Sequence, residues 1–307
     1  MPRSILALAL ALLALASVAP ATAPAGGTRP DAYVVPGAGV FPEGITTRPG
    51  TDEFFVSATN GGTVFRGVAG RRRLRVFLPP GRDGRTIAVG VRATRDRLIV
   101  LGGPLGLAWV HELPSGRLLR RFSTPPGGLL NDVAVTPAGD AYLTDSLRSQ
   151  LFRIPARALA RRRTGTQPLR PFLRLGADLA PGGFPNGIVA DGRRHLIVGL
   201  LASGRLLRVD VRTRRVRPIE VRGTELPLID GLARAARTLY VVNSSSRVTR
   251  LRLARDRRSA RFERHITDPG FRYPSTAAVL GDRLLVVNFQ RGANPPVLPF
   301  TVSSVPR

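Results

Sequence analysis

The sequence predicts an all-β protein, a six-bladed β-propeller of four-stranded blades, forming a single domain after a signal peptide. Two observations carry that expectation. A polar residue followed by a short apolar run recurs about every 45 residues, at Pro42-Glu43-Gly44-Ile45, Ile87-Ala88-Val89-Gly90, Leu130-Asn131-Asp132-Val133, Pro185-Asn186-Gly187-Ile188, Ile229-Asp230-Gly231-Leu232 and Pro274-Ser275-Thr276-Ala277. After each copy come an apolar strand, a small-residue turn and a second strand, which is the grammar of a blade.

The amino terminus reads as a targeting segment. Arg3 supplies a positive start, residues 5–16 are an unbroken Ile/Leu/Ala run, and Ala-x-Ala patterns follow between Ala19 and Ala25. Residues 1–25 are therefore assigned to a signal peptide and leader. The run is shorter than the roughly 20 residues a membrane-spanning helix needs, which argues against an uncleaved anchor. The expected location is secreted, extracellular or at the cell envelope.

Residues 26–37 form an N-terminal segment in which Ala32-Tyr33-Val34-Val35 is a candidate closing strand. The propeller is assigned to residues 38–303, and 304–307 are read as a tail. In the first blade Phe54-Phe55-Val56-Ser57 and Thr63-Val64-Phe65-Arg66 flank Asn60-Gly61-Gly62, a hairpin signal because glycine accepts positive φ. The second has Leu98-Ile99-Val100-Leu101 and then Leu107-Ala108-Trp109-Val110, with Trp109 expected to pack. The third has Ala141-Tyr142-Leu143-Thr144 and Leu151-Phe152-Arg153-Ile154. The longer interval before Asn186 holds an Arg-rich stretch at about 156–174, read as an exposed insertion. Leu196-Ile197-Val198, Tyr240-Val241-Val242 and Leu285-Val286-Val287 mark the last three blades, with Phe300-Thr301-Val302 as a further candidate closing strand.

Composition narrows the chemistry. There is no cysteine, which excludes thiol catalysis, disulfides and Cys-ligated metal centres. The net charge is +27, and every one of the 47 basic residues is arginine. Clusters at Arg71-Arg72-Arg73, Arg161-Arg162-Arg163 and 255–258 suggest weak association with an anionic envelope, or simply a solvated basic surface. They lack the interleaved aromatics of single-strand nucleic-acid platforms, so no specific nucleic-acid partner is expected. The three histidines, His111, His195 and His265, fit no proton-relay or redox-metal pattern. No Gly-x-Ser-x-Gly or Ser-His-Asp signature is visible.

Equivalent positions of a propeller ring one mouth of its channel. Glu43, Ala88, Asn131, Asn186, Asp230 and Ser275 would stand there. Glu43, Asn131, Asn186 and Asp230 offer hard oxygen donors with charge −2, which suits Ca²⁺; Mg²⁺, Mn²⁺ and Zn²⁺ are further candidates. The competing explanation is that Asn-Gly and Asp-Gly are turn dipeptides. Asp145, Asn243 and Asn288 are expected to line the channel or to hydrogen-bond between blades.

The segments around Glu43, Asn131, Asn186 and Asp230 resemble the metal-ligand segments of the gluconolactonase/regucalcin (senescence marker protein) superfamily. Asn131-Asp132 with Tyr142-Leu143-Thr144-Asp145 is also similar to the related paraoxonase and strictosidine-synthase-like propellers. The resemblance spans about residues 38–303. It implies that Glu43, Asn186 and Asp230 are metal ligands, that Asn131 is a further one, and that Asp230 also serves as catalytic general base in metal-assisted hydrolysis of a small-molecule lactone or ester. Ala88 and Ser275 depart from a full donor set. A non-catalytic propeller with a structural calcium site, or with a ligand- or scaffold-binding role at the envelope, is the alternative.

Overall fold

The computed structural model describes residues 30–160, 163–176 and 183–307. The segment read as a signal peptide, 1–25, and two of the arginines of the second cluster, Arg161 and Arg162, lie outside the described residues. No helix among the described residues is long and apolar enough to cross a membrane.

The fold is an all-β propeller in a single domain. After β1 (Ala32–Val35), the chain makes antiparallel ladders in succession. The first ladder is β2 (Pro42–Thr47), β3 (Glu53–Ala58), β4 (Val64–Val68) and β5 (Arg75–Leu78). Next come β6 (Val91–Ala93), β7 (Arg97–Leu101), β8 (Leu107–Glu112) and β9 (Leu118–Ser123). Then follow β10 (Leu130–Val135), β11 (Ala141–Asp145) and β12 (Gln150–Ile154). A short helix α1 (Ala156–Ala160), β13 (Thr166–Pro168) and β14 (Pro171–Arg174) continue the chain. The remaining strands are β15 (Pro185–Asp191), β16 (His195–Leu200), β17 (Leu206–Asp210), β18 (Val216–Arg222), β19 (Ile229–Ala235), β20 (Thr238–Asn243), β21 (Arg247–Leu253), β22 (Ser259–Ile266), β23 (Pro274–Leu280), β24 (Arg283–Asn288) and β25 (Phe300–Pro306).

Hydrogen bonding groups these strands into three sheets of four, one of five and one of eight. The eight-stranded sheet is two antiparallel ladders joined where β18 runs parallel to β22, Glu220 opposite Ser259. First strands pack on one another around an axis: β2 on β6, β6 on β10, β10 on β15, β15 on β19, β19 on β23, and β23 back on β2. The second strands are apolar on both faces because each sheet is covered by a neighbour on either side; β20, Thr-Leu-Tyr-Val-Val-Asn, is buried throughout. Apolar layers fill the intervals between ladders: Phe54 with Val287 and Phe300, Ile99 with Leu143 and Phe152, Tyr142 with Leu196.

Two boundaries differ from the sequence reading. Residues 304–306 are not a tail: Val305 pairs with Leu284 and is buried. Residues 171–174 are not insertion, because β14 pairs with β12 and completes that sheet. The insertion proper leaves β12, and β13 adds in parallel to the outer edge of β9, in the preceding sheet. At the other closure β1 pairs with β25, Ala32 opposite Ser303.

In an antiparallel ladder, turns alternate between two ends. The turns after second and fourth strands lie at the end where first strands begin. Those after first and third strands lie at the opposite end, and arginines cluster there: Arg71-Arg72-Arg73 after β4, Arg193-Arg194 after β15, Arg212 and Arg214 after β17.

Candidate functional site

Five of the first strands start with a break in their own ladder, while β6 pairs with β7 without one. Pairing with the second strand skips from Pro42 to Ile45, Leu130 to Val133, Pro185 to Ile188, Ile229 to Leu232 and Pro274 to Ala277. The two residues inside each bulge escape the pleat, which re-aims their side chains. Glu43, Asn131, Asn186, Asp230 and Ser275 each take the first bulge position. Asn186-Gly187 and Asp230-Gly231 are therefore not turns.

The second bulge position explains the glycines. A Cβ on Gly44 would stand 2.4 Å from the Val89 carbonyl oxygen, and one on Gly187 2.5 Å from that of Asp230. Adjacent first strands approach too closely there for any side chain. Gly90 meets the Asn131 carbonyl oxygen in the same way, at 2.3 Å. That equivalence puts Val89, not Ala88, at the ring position of its sheet; Ala88 is buried and Val89 lines the cavity.

A cavity of about 480 Å³ opens at this end, and Glu43, Asn131, Asn186 and Asp230 all line it. Its walls are mainly apolar, with Ile87, Leu129, Phe184, Leu201 and Phe289 among them. Tyr273 and Leu228 rim it, and both are exposed. Phe41, Phe184, Leu228 and Tyr273, each just before a first strand, hold left-handed backbone at φ 47, 66, 51 and 46°. Such backbone costs a bulky residue about 1–2 kcal/mol. The last three of these side chains face the cavity, while Phe41 packs against Phe300 at 5.1 Å between ring centres.

Electrostatically the floor is short of positive charge. Burial raises the Glu43 carboxyl well above its ordinary range, and the Asp230 and Asp132 charges raise it further. Burial lifts Asp230 to about 7; hydrogen bonds from Ser244 and Asn186 and the charge of Arg291 oppose the rise. Ser244 Oγ donates to Asp230 Oδ2 at 3.2 Å. Among the described residues neither carboxylate has an ion-pair partner within 4.0 Å, and Arg291, exposed on the cavity wall, acts only at longer range.

Asp132 is a third carboxylate, not among the ring residues expected from the sequence. It fills the position at which four other first strands have glycine, Gly44, Gly90, Gly187 and Gly231, and its Oδ2 accepts from the Ile188 N–H at 3.0 Å. Burial raises its carboxyl, opposed by Arg92 and by the Ile188 and Val133 N–H groups. An aspartate in the glycine slot of the repeat was the available signal. Among the described residues no three His, Cys, Asp or Glu side chains form a metal-holding cluster, so any ion here would rely on the Asn oxygens.

Asp145, Asn243 and Asn288 end second strands rather than lining the channel. Asp145 Oδ1 accepts from Leu129 N–H at 3.0 Å, Asn243 Nδ2 donates to Pro227 O at 2.7 Å, and Asn288 Oδ1 accepts from Arg272 N–H at 3.0 Å. All three clamp the segment that delivers a ring residue. The histidines stay away from the cavity; His111 is fully buried beside Arg85, and burial drives its pKa down to about 3. Trp109 is buried, its Nε1 donating to Asp83 O at 3.0 Å.

No family model matches the sequence, and no curated protein matches it. Solved structures do match in shape. The WD40 repeats of RRP9 superpose with a TM-score of 0.65 at 13% identity, covering 90% of this chain and 97% of theirs. The Malassezia sympodialis allergen Mala s 1 gives 0.65 at 15% identity, covering 90% and 96%. Virginiamycin B lyase from Staphylococcus aureus gives 0.60 at 8% identity, covering 90% and 98%. The chain is a β-propeller. At these identities the likeness speaks for the fold alone.

Proposed function

We propose that this chain is a secreted, six-bladed, gluconolactonase-like propeller that hydrolyses lactones or related esters with a divalent cation. The blade count follows from taking the eight-stranded sheet as two blades, in keeping with the closed sequence of first strands. The observation that carries the functional reading is the floor of the cavity. A buried carboxylate (Glu43), a half-buried one (Asp230) and two carboxamides, delivered by four separate strands, converge there without an ion-pair partner among the described residues. Uncompensated buried carboxylates are costly, and an all-oxygen donor set of charge −2 matches a hard divalent ion, Ca²⁺ before Mg²⁺, Mn²⁺ or Zn²⁺.

Glu43, Asn131, Asn186 and Asp230 would hold the ion, which when bound supplies a Lewis acid to polarise the substrate carbonyl. Asp230 takes the proton of the attacking water, a role open to it because its carboxylate lines the cavity floor. Ser244 fixes the orientation of that carboxylate through Oδ2. The apolar walls receive the hydrocarbon part of the substrate and exclude bulk water, which favours lactones or esters with an apolar body over free sugars.

The test is to strip the purified protein with chelator, add back each cation in turn, and follow thermal stability and turnover of a lactone and ester panel. Stabilisation by one cation, absent in Asp230→Asn, together with turnover in the wild type supports the proposal. The same stabilisation without turnover would leave a structural calcium site. No shift at millimolar cation would overturn the metal reading.

A further inference from the structure

The insertion after β12 builds a second cavity, far in character from the first. It measures about 580 Å³ and is lined by Arg120, Arg153, Arg157, Arg163 and Arg170, with Gln167. Backbone bonds hold it in place along β9. Arg163 N–H donates to Leu119 O at 3.1 Å, β13 pairs Thr166 with Arg121, and Leu169 N–H donates to Ser123 O at 2.7 Å. The insertion thus straps one sheet to the next, and the cavity lies beneath the strap.

The arginines are not equivalent. Arg120 is buried on β9, with its guanidinium 5.3 Å from the Phe122 ring centre and one amino group donating to Gln167 Oε1. Arg153 pairs with Asp140 at 2.8 Å. Arg157, Arg163 and Arg170 are exposed and reach the cavity from α1 and the strap. Among the described residues no carboxylate lines the cavity. Like charges confined to a concavity repel one another, and an anion relieves that repulsion. Guanidinium forks match tetrahedral oxyanions in geometry as well as charge. Among the described residues the one aromatic ring in the lining, Phe122, is already covered by Arg120, which leaves a nucleobase no stacking platform there.

We infer that this strapped cavity is a binding site for a phosphoryl-type oxyanion, presented by a soluble molecule or by a lipid headgroup. It is independent of the acidic cavity and of any cation there.

The experiment uses the full chain and titrates inorganic pyrophosphate by calorimetry at fixed ionic strength. Three proteins are compared: wild type, Arg157→Gln/Arg163→Gln/Arg170→Gln, and Arg71→Gln/Arg72→Gln/Arg73→Gln. Both triple variants remove equal charge from exposed positions, and unchanged thermal unfolding checks that they fold. Saturable binding in the wild type, weakened on the order of tenfold or more in the strap variant and nearly unchanged in the other, supports the site. Sedimentation with phosphatidylglycerol vesicles separates the sources. Vesicle binding lost only in the strap variant points to a headgroup; vesicle binding equal in all three, with pyrophosphate binding lost, points to a soluble anion. No pyrophosphate binding in the wild type, or equal weakening in both variants, overturns the inference.

Discussion

The acidic cavity and the arginine cavity are built on opposite principles. The first arises from repetition: one bulge at the head of successive first strands brings Glu43, Asn131, Asn186 and Asp230 together although they are far apart in sequence. The second arises where repetition is interrupted, by a single excursion between β12 and β14 that lies against Arg120 of β9 and Arg153 of β12. A site made by repetition is rigid, buried and shared among sheets. A site made by interruption is local, exposed and removable without loss of the ring.

Substitutions in the two places should differ accordingly. The largest effect is expected from Asp230→Asn, which removes the proton acceptor and one donor; kcat/KM on the lactone panel should fall by about 10²–10⁴. Retained turnover would separate the ring from catalysis. Next comes pH. In chelator-stripped protein the folded Asp230 titrates at about 7 against 3.8 as its ordinary value, and Glu43 is shifted in the same direction. A raised carboxyl stabilises the fold while protonated, so that stability is full below pH 4 and is lost as pH rises through about 7. Melting temperature should decline across that window, less so in Asp230→Asn, and saturating cation should flatten the decline.

Gly187→Ala tests the closeness of the strands. Its Cβ would meet backbone atoms at 2.5 and 2.6 Å, neither of which can swing aside, and a loss of about 2–3 kcal/mol in denaturant unfolding is expected. Gly176→Ala has nothing within 4 Å and serves as control. The smallest effect belongs to Ser244→Ala. Ser244 lowers the Asp230 pKa, so its removal should move the acidic limb of the pH–rate profile to higher pH while costing less than about tenfold in rate. An unmoved limb would mean that Asp230 is not the titrating base. None of these four should alter pyrophosphate binding at the strap.

The ring was legible in the sequence because its requirements recur. A polar residue followed by glycine at the head of an apolar strand has one cause, the close approach of neighbouring first strands, and it shows in three of the copies. Where the pattern loosens, legibility fails. The second sheet lacks a polar ring residue, and its glycine falls at Gly90, so the ring position was misjudged by one residue. Asp132 was hidden because a carboxylate occupies a slot that elsewhere marks only tight packing. Part of the cavity rim comes from Phe184, Leu228 and Tyr273, just before first strands, whose left-handed backbone no propensity announces. The strap was misread in part because β13 pairs in parallel with a strand of the preceding sheet, a contact that local pattern does not encode.

One bond carries a consequence for the life history of the molecule. Ser275 Oγ donates to the backbone carbonyl of Glu43 at 2.7 Å, while β1 zips onto β25 alongside. The residue proposed to hold the ion is thus seated by a partner 232 positions downstream. A chain leaving the ribosome carries Glu43 early but cannot fix it until its last sheet has formed. Contacts of such long range are late events in folding. The seat of Glu43 is therefore incomplete in any intermediate with only the earlier sheets in place.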